Sequence, residues 1–147
     1  MSGQKSLTPS NGMILELEIP SLPEKAAYVD KIIDELTAKA KYDESMRGDI
    51  AVAVNEVVKN AILHGNKCDG GKLVGIVCTC GPSEFRIFVT DCGEGFVPGD
   101  VPDPLKPDNL LKESGRGLLI SRTLMDEVSV ENSGEGTKVT LVKKNQA

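Results

Sequence analysis

Residues 55–66 read NEVVKNAILHGN. Val57, Val58, Ala61 and Ile62, with Val54 just before them, recur at helical spacing and predict the end of an amphipathic helix. At about 100° per residue, Val54, Val57 and Ala61 define a buried centre, and Ala51, Val58 and Ile62 spread to one side of it. Glu56, Asn60 and His64 stand four residues apart on the other margin. Each of the three is turned about 40° nearer the core than the one before. A carboxylate, an amide and the chain's only histidine therefore line a seam between this helix and a neighbour. Two readings fit that row. It is either a solvated edge with a histidine capping the helix end, or a metal–phosphate site that offers an oxygen ligand and a nearby base.

Working outward, Asp43 is placed to cap the same helix, which runs through Met46 and Ile50 to about Gly65, a natural stop. Further upstream, Ser21-Leu-Pro-Glu24 has the form of a capping box with an early proline. It predicts the start of a helix carrying Val29, Ile32, Ile33, Leu36 and Ala40. Met13–Ile19 alternates apolar residues with Glu16 and Glu18 and reads as a strand, placed at a sheet edge. Downstream of the quoted stretch, residues 68–71 form a turn, and strands 72–80 and 84–90 make a hairpin around Gly81-Pro82-Ser83. A helix from about Gly117 to Met125 and a second hairpin, 127–132 with 137–143, complete the pattern. The order β-α-α-β-β-loop-α-β-β groups the helices on one face of a sheet. The expected architecture is an α+β two-layer sandwich with a mixed, mainly antiparallel sheet: one domain over residues 12–144, behind a loose tail at 1–11.

Composition narrows the function. The chain has 147 residues, 39% of them hydrophobic and 27% charged, as in an ordinary soluble domain. A net charge of −5 without a basic run argues against a nucleic-acid partner, as does an inventory of no Trp, two Tyr and three Phe. No apolar run approaches the roughly 20 residues that cross a bilayer, and the polar start is no signal peptide. A cytoplasmic location is expected. Cys68, Cys78, Cys80 and Cys92 contain no C-x-x-C pair and read as buried free thiols, with Cys78 and Cys80 on one face of a strand.

Between Asp91 and Ser114 the chain holds Pro98, Pro102, Pro104 and Pro107 among several glycines and aspartates. Only a short helical turn near residues 108–112 is expected there. Irregular connections beyond about 12–15 residues are commonly functional lids or disordered segments. This one is framed by Asp91-Cys-Gly93-Glu-Gly95 and by Gly115-Arg116-Gly117. Each cluster alone reads as a tight turn. Gly115-x-Gly117 lacks the third glycine of a Rossmann fingerprint, and no Walker-type phosphate loop is present.

In combination the motifs are more specific. Glu56-x-x-x-Asn60-Ala-x-x-His64-Gly65, Asp91-x-Gly93-x-Gly95, Gly115-Arg-Gly117 and Gly136-Thr137 follow one another in order. They resemble the N box, the two glycine boxes and the final Gly-Thr of the GHKL ATPase superfamily, to which gyrase, the histidine kinases and mismatch-repair ATPases belong. Over residues 13–143 the chain is most similar to the bacterial anti-sigma factor serine/threonine kinases.

The resemblance implies a Bergerat ATP-binding fold and a kinase that phosphorylates a serine on an anti-anti-sigma (STAS-type) antagonist. A sigma factor is a further implied partner, and a homodimer is implied as well. It also assigns roles. Asn60 holds Mg²⁺ on the ATP phosphates, and Glu56 takes the proton from the attacking hydroxyl. Asp91 accepts a hydrogen bond from the adenine amino group, and Gly93 and Gly95 let the chain pass close to the base. Gly115 and Gly117 open a helix whose N-terminal N–H groups face phosphate oxygens, with Arg116 adding charge. Thr137 completes the adenine end, and His64 contacts a phosphate or the lid, or caps its helix. The alternative to a kinase is a nucleotide-gated switch that binds partners without phosphorylating them.

Overall fold

The computed structural model describes residues 12–92, 113–133 and 136–145, with the backbone alone at 113–118 and 133. The alternating segment forms β1 (Met13–Pro20), whose Leu15, Leu17 and Ile19 are buried while the intervening glutamates are exposed. Helix α1 covers Lys25–Lys39 and α2 covers Glu44–Asn60. The chain then passes without a break into a π-helical turn, Ala61–Gly65. Strands β2 (Leu73–Cys80) and β3 (Glu84–Thr90) form the first hairpin. Helix α3 (Glu113–Leu124) precedes the second hairpin, β4 (Glu127–Ser133) and β5 (Gly136–Lys144).

The five strands lie in the order β1-β2-β3-β5-β4, so β1 and β4 are the edges. All four pairings are antiparallel. One face carries Leu15, Leu17, Ile19, Val74, Ile76, Phe85, Ile87, Val89 and Leu141, and it supports the helices. Helix α2 is central in the helix layer, packed on both α1 and α3. Its Ile50, Val54, Val57 and Val58 are almost fully buried, each burial contributing about 1.5–3 kcal/mol relative to exposure. That anchorage fixes the margin on which the polar row sits. Ala51, expected beside the buried centre, is exposed.

The cap expected at Asp43 is present: its carboxylate accepts the Met46 N–H at 2.8 Å. The one expected at Ser21 is not. Helix α1 starts four residues later, after Glu24, without a side-chain cap, and the Ser21 hydroxyl instead donates to the Lys72 carbonyl at 2.7 Å. A long-range carbonyl acceptor has outcompeted the local backbone N–H that a cap would have engaged.

Cys78 and Cys80 are buried on one face of β2 with sulfurs 3.9 Å apart, whereas Cys68 and Cys92 are exposed. The hydrogen bond shared with Cys80, then burial, hold the Cys78 thiol well above its ordinary pKa. The described chain ends meet at one corner. Met13 pairs with Cys80, and Asn145 bonds both Ser83 and Pro82 of the β2–β3 turn.

Candidate functional site

Glu56 and Asn60 lie half-buried on the margin of α2, as the spacing predicts. Glu56 has 28% of its side chain exposed, with Lys59 Nζ 3.9 Å from its carboxylate. His64 departs from the expected trend toward the core and is exposed. The cause is the π turn: the Asn66 N–H reaches back five residues to the Ala61 carbonyl at 2.8 Å, and the wider turn shifts every angle past Asn60. Among the described residues, neither the Asn60 nor the His64 side chain makes a hydrogen bond.

Facing the end of α2 is Asp91, the first residue past β3, with only 8% of its surface exposed. Its N–H donates to the Thr137 carbonyl at 2.9 Å, and one carboxylate oxygen accepts the Thr137 N–H at 3.2 Å. A side chain at Gly65 would lie 2.2 Å from the other oxygen, so that glycine does more than end a helix. Gly136 completes the cradle. Its φ is +151°, and a Cβ there would fall 2.1 Å from the Asp91 carbonyl oxygen, so both conformation and space require glycine. The Thr137 hydroxyl is engaged across the second hairpin, donating to Asn132 at 2.8 Å.

The glycine pair Gly115 and Gly117 lies inside α3, behind Glu113 and Ser114, and not at its opening. Each glycine disfavours helix by about 1 kcal/mol, which is why local reading starts the helix after them. Packing of α3 on α2 overrides that preference, with the buried Ser121 hydroxyl directed at the Ala53 carbonyl. The Arg116 side chain, Gly93, Gly95, the proline-rich loop and the turn near 108–112 lie outside the described residues.

One residue of the quoted stretch received no role from its sequence. Asn66, 1% exposed, accepts the Cys92 N–H and donates to Ser21 and to the Leu73 carbonyl. Its only sequence signal is a small amide directly after a helix-ending glycine.

The arrangement suits a purine nucleotide with a metal ion. A fixed, largely buried carboxylate lies beside two positions where a side chain is excluded, and the Asn60 amide is half-exposed on the adjoining helix margin. Among the described residues no three His, Cys, Asp or Glu side chains could hold a metal by themselves. Mg²⁺ matches such a site, since it commonly takes one or two protein oxygens and completes its shell with phosphates and water.

Comparison with known proteins covers the stretch of chain that contains these residues. The family described as histidine kinase-like ATPase domain matches residues 19–143. The anti-sigma F factor of Clostridium perfringens (strain SM101 / Type A) is 37% identical over 123 residues, which cover 80% of this chain and 79% of that protein. The serine-protein kinase RsbW of Bacillus subtilis (strain 168) is 28% identical over 140 residues, 91% of this chain and 87% of that one. A crystal structure of the RsbU and RsbW domains of a Mycobacterium tuberculosis protein superposes with a TM-score of 0.66 at 23% identity. That likeness, one of fold, covers 88% of this chain and 31% of the mycobacterial one.

Proposed function

We propose a function from one premise: this chain belongs to the histidine kinase-like ATPase domain family. It is an ATP-dependent serine/threonine protein kinase of the anti-sigma type, acting on a serine of an anti-anti-sigma antagonist. The observation that carries this reading is Glu56 on the margin of α2, one turn before Asn60, at the end of the domain where Asp91 is anchored. A protein that only bound nucleotide would have no use for a proton acceptor there.

In this reading Asp91 holds the adenine through its exocyclic amine, and the Thr137 backbone keeps the carboxylate in place. Asn60 would hold Mg²⁺, which when bound neutralises charge on the phosphates. Glu56 accepts the proton of the attacking serine hydroxyl. The first turns of α3, with Gly115, Arg116 and Gly117, face the phosphates, and exposed His64 contacts a phosphate or the lid. Gly93 and Gly95 pass beside the base. A sigma factor is the second partner, and pairing along the β1 edge supplies a homodimer. No described helix is long and apolar enough to cross a membrane, and the proposed location is the cytoplasm.

The Lys59–Glu56 contact favours a second reading, a nucleotide-gated switch, because it gives the Glu56 carboxylate a partner within its own helix and a use that needs no proton transfer. One experiment separates the two. The purified protein is incubated with cell extract, recovered with its partners, and supplied with radiolabelled ATP and Mg²⁺. Label on a serine of a co-purified protein is the expected result. Partners retained in a nucleotide-dependent way without any label would establish the switch.

A further inference from the structure

Asp91 has to present its carboxylate at a fixed angle, yet it lies just past the end of β3, outside the hydrogen-bonded strand. Two features hold its following peptide unit, Asp91–Cys92. On one side the Asp91 carbonyl oxygen lies against Gly136, so closely that a Cβ would come within 2.1 Å. On the other, the Cys92 N–H donates to Asn66 Oδ1 at 2.8 Å. Gly136 belongs to β5 and Asn66 to the end of the π turn, so the peptide is gripped between the sheet and the helix that carries Glu56 and Asn60.

Asn66 is itself tightly constrained. Both amide hydrogens are used, one toward Ser21 Oγ at 2.8 Å and one toward the Leu73 carbonyl at 3.1 Å. Ser21 is in turn fixed by the Lys72 carbonyl at 2.7 Å. The Asn66 backbone closes the π turn through Ala61 and accepts the Asp69 N–H at 3.0 Å. The next residues, Lys67 and Cys68, hold left-handed φ values of 52° and 59°, a conformation that side-chain-bearing residues keep only where the surroundings impose it. Only a primary amide of this length offers the donors and the acceptor together. Aspartate keeps the acceptor and loses the donors, whereas leucine keeps the size and loses both.

We propose that Asn66 is a positioning residue for adenine recognition: through the Cys92 N–H it sets the orientation of Asp91 and ties the base-reading end of the site to the phosphate-reading helix. The inference rests on the adenine role assigned to Asp91 above. Asn66 touches no nucleotide and acts only through the peptide it holds.

The test measures ATP and GTP affinity by calorimetry, with Mg²⁺, for wild type, Asn66→Ala, Asn66→Asp and Val29→Ala. Val29 is a buried α1 residue and supplies a loss of stability remote from Asp91. Asn66→Ala should weaken ATP by about tenfold, the scale of one buried hydrogen bond, and move the ATP/GTP ratio toward one. Asn66→Asp should recover much of that ratio despite a lower melting temperature, and Val29→Ala should keep the wild-type ratio. If Asn66→Ala does not fold, Asn66→Ser, too short to reach Cys92, takes its place with the same expectation. A folded Asn66→Ala or Asn66→Ser protein with an unchanged ATP/GTP ratio overturns the proposal, as does a Val29→Ala protein that loses the ratio equally. Failure of the wild type to prefer ATP is a different result, since it removes the adenine role of Asp91 and this inference with it.

Discussion

The two ends of α2 carry similar polar residues and use them differently. At its start several of them are answered by the protein. Asp43 caps Met46, Asp49 meets Lys143 at 3.1 Å, and the same lysine donates to the Leu124 carbonyl. Just before the helix, the Tyr42 hydroxyl is held by the Gly81 and Glu84 carbonyls. These charges border a cavity of about 220 Å³ together with Asp126, Lys144 and Asn145. At the far end Asn60 and His64 have no side-chain hydrogen bond among the described residues, although the Asp91 peptide opposite is clamped. Polar groups satisfied by one another hold a fold together, whereas groups left available on a rigid frame are available for a ligand.

That contrast predicts that variants at the far end lose activity with little loss of stability, and that those at the start do the reverse. The largest expected effect is at Glu56. Glu56→Gln should lower transfer to serine by about 10²–10⁴, toward the lower figure because phosphoryl transfer has a loose transition state. ATP affinity and melting temperature should stay close to wild type. Undiminished transfer in a phosphorylation assay would break the comparison at its most specific point.

Asp91→Asn comes next. It keeps an acceptor for the Thr137 N–H but removes the charge, so ATP and ADP should bind more weakly by about 1.5–3 kcal/mol in calorimetry. A variant that melts early yet binds normally would move Asp91 to the structural side. Asn60→Ala should leave the ligand-free melt nearly unchanged. It should reduce the Mg²⁺-dependent part of the ATP-induced thermal shift, by about 1.4 kcal/mol for tenfold weaker binding.

The smallest effect is at the other end. Tyr42→Phe should cost about 0.5–1.5 kcal/mol at neutral pH without altering ATP affinity. Burial, and then the neighbouring Cys80, Cys78 and Glu84, push the Tyr42 phenol well above its ordinary range. Its contribution is therefore complete below the unfolded value of about 10 and declines as the pH rises beyond it, where the unfolded chain loses the proton first. Denaturant titrations from neutral to alkaline pH should show a smaller alkaline loss in the phenylalanine variant.

What could be read from the sequence was what has local causes. The alternation in β1, the two hairpins and the Asp43 cap depend on neighbours a few residues away, and all four are present. Ser21 misled because the partners of its hydroxyl, Lys72 and Asn66, lie 51 and 45 residues along the chain. His64 departs from its periodicity because the backbone closes a π turn at Ala61–Gly65, while Glu56 and Asn60, which precede that turn, lie where the periodicity puts them. Asn66 carries little local signal for the first of these reasons. Two of its three side-chain contacts reach segments 45 and 26 residues away, and no local pattern encodes them.

The meeting of the described chain ends has a consequence for engineering. Met13 and Asn145 both lie at the β2–β3 turn, whereas Asp91 and Gly136 lie at the other ends of β3 and β5. A fusion partner, an affinity tag or a surface tether joined directly to Met13 or Asn145 would therefore depart from the corner remote from Asp91. For the same reason residues 13–145 are suited to circular permutation: a short linker can join these two described ends, and new termini can be opened in a surface turn without cutting β3 or β5.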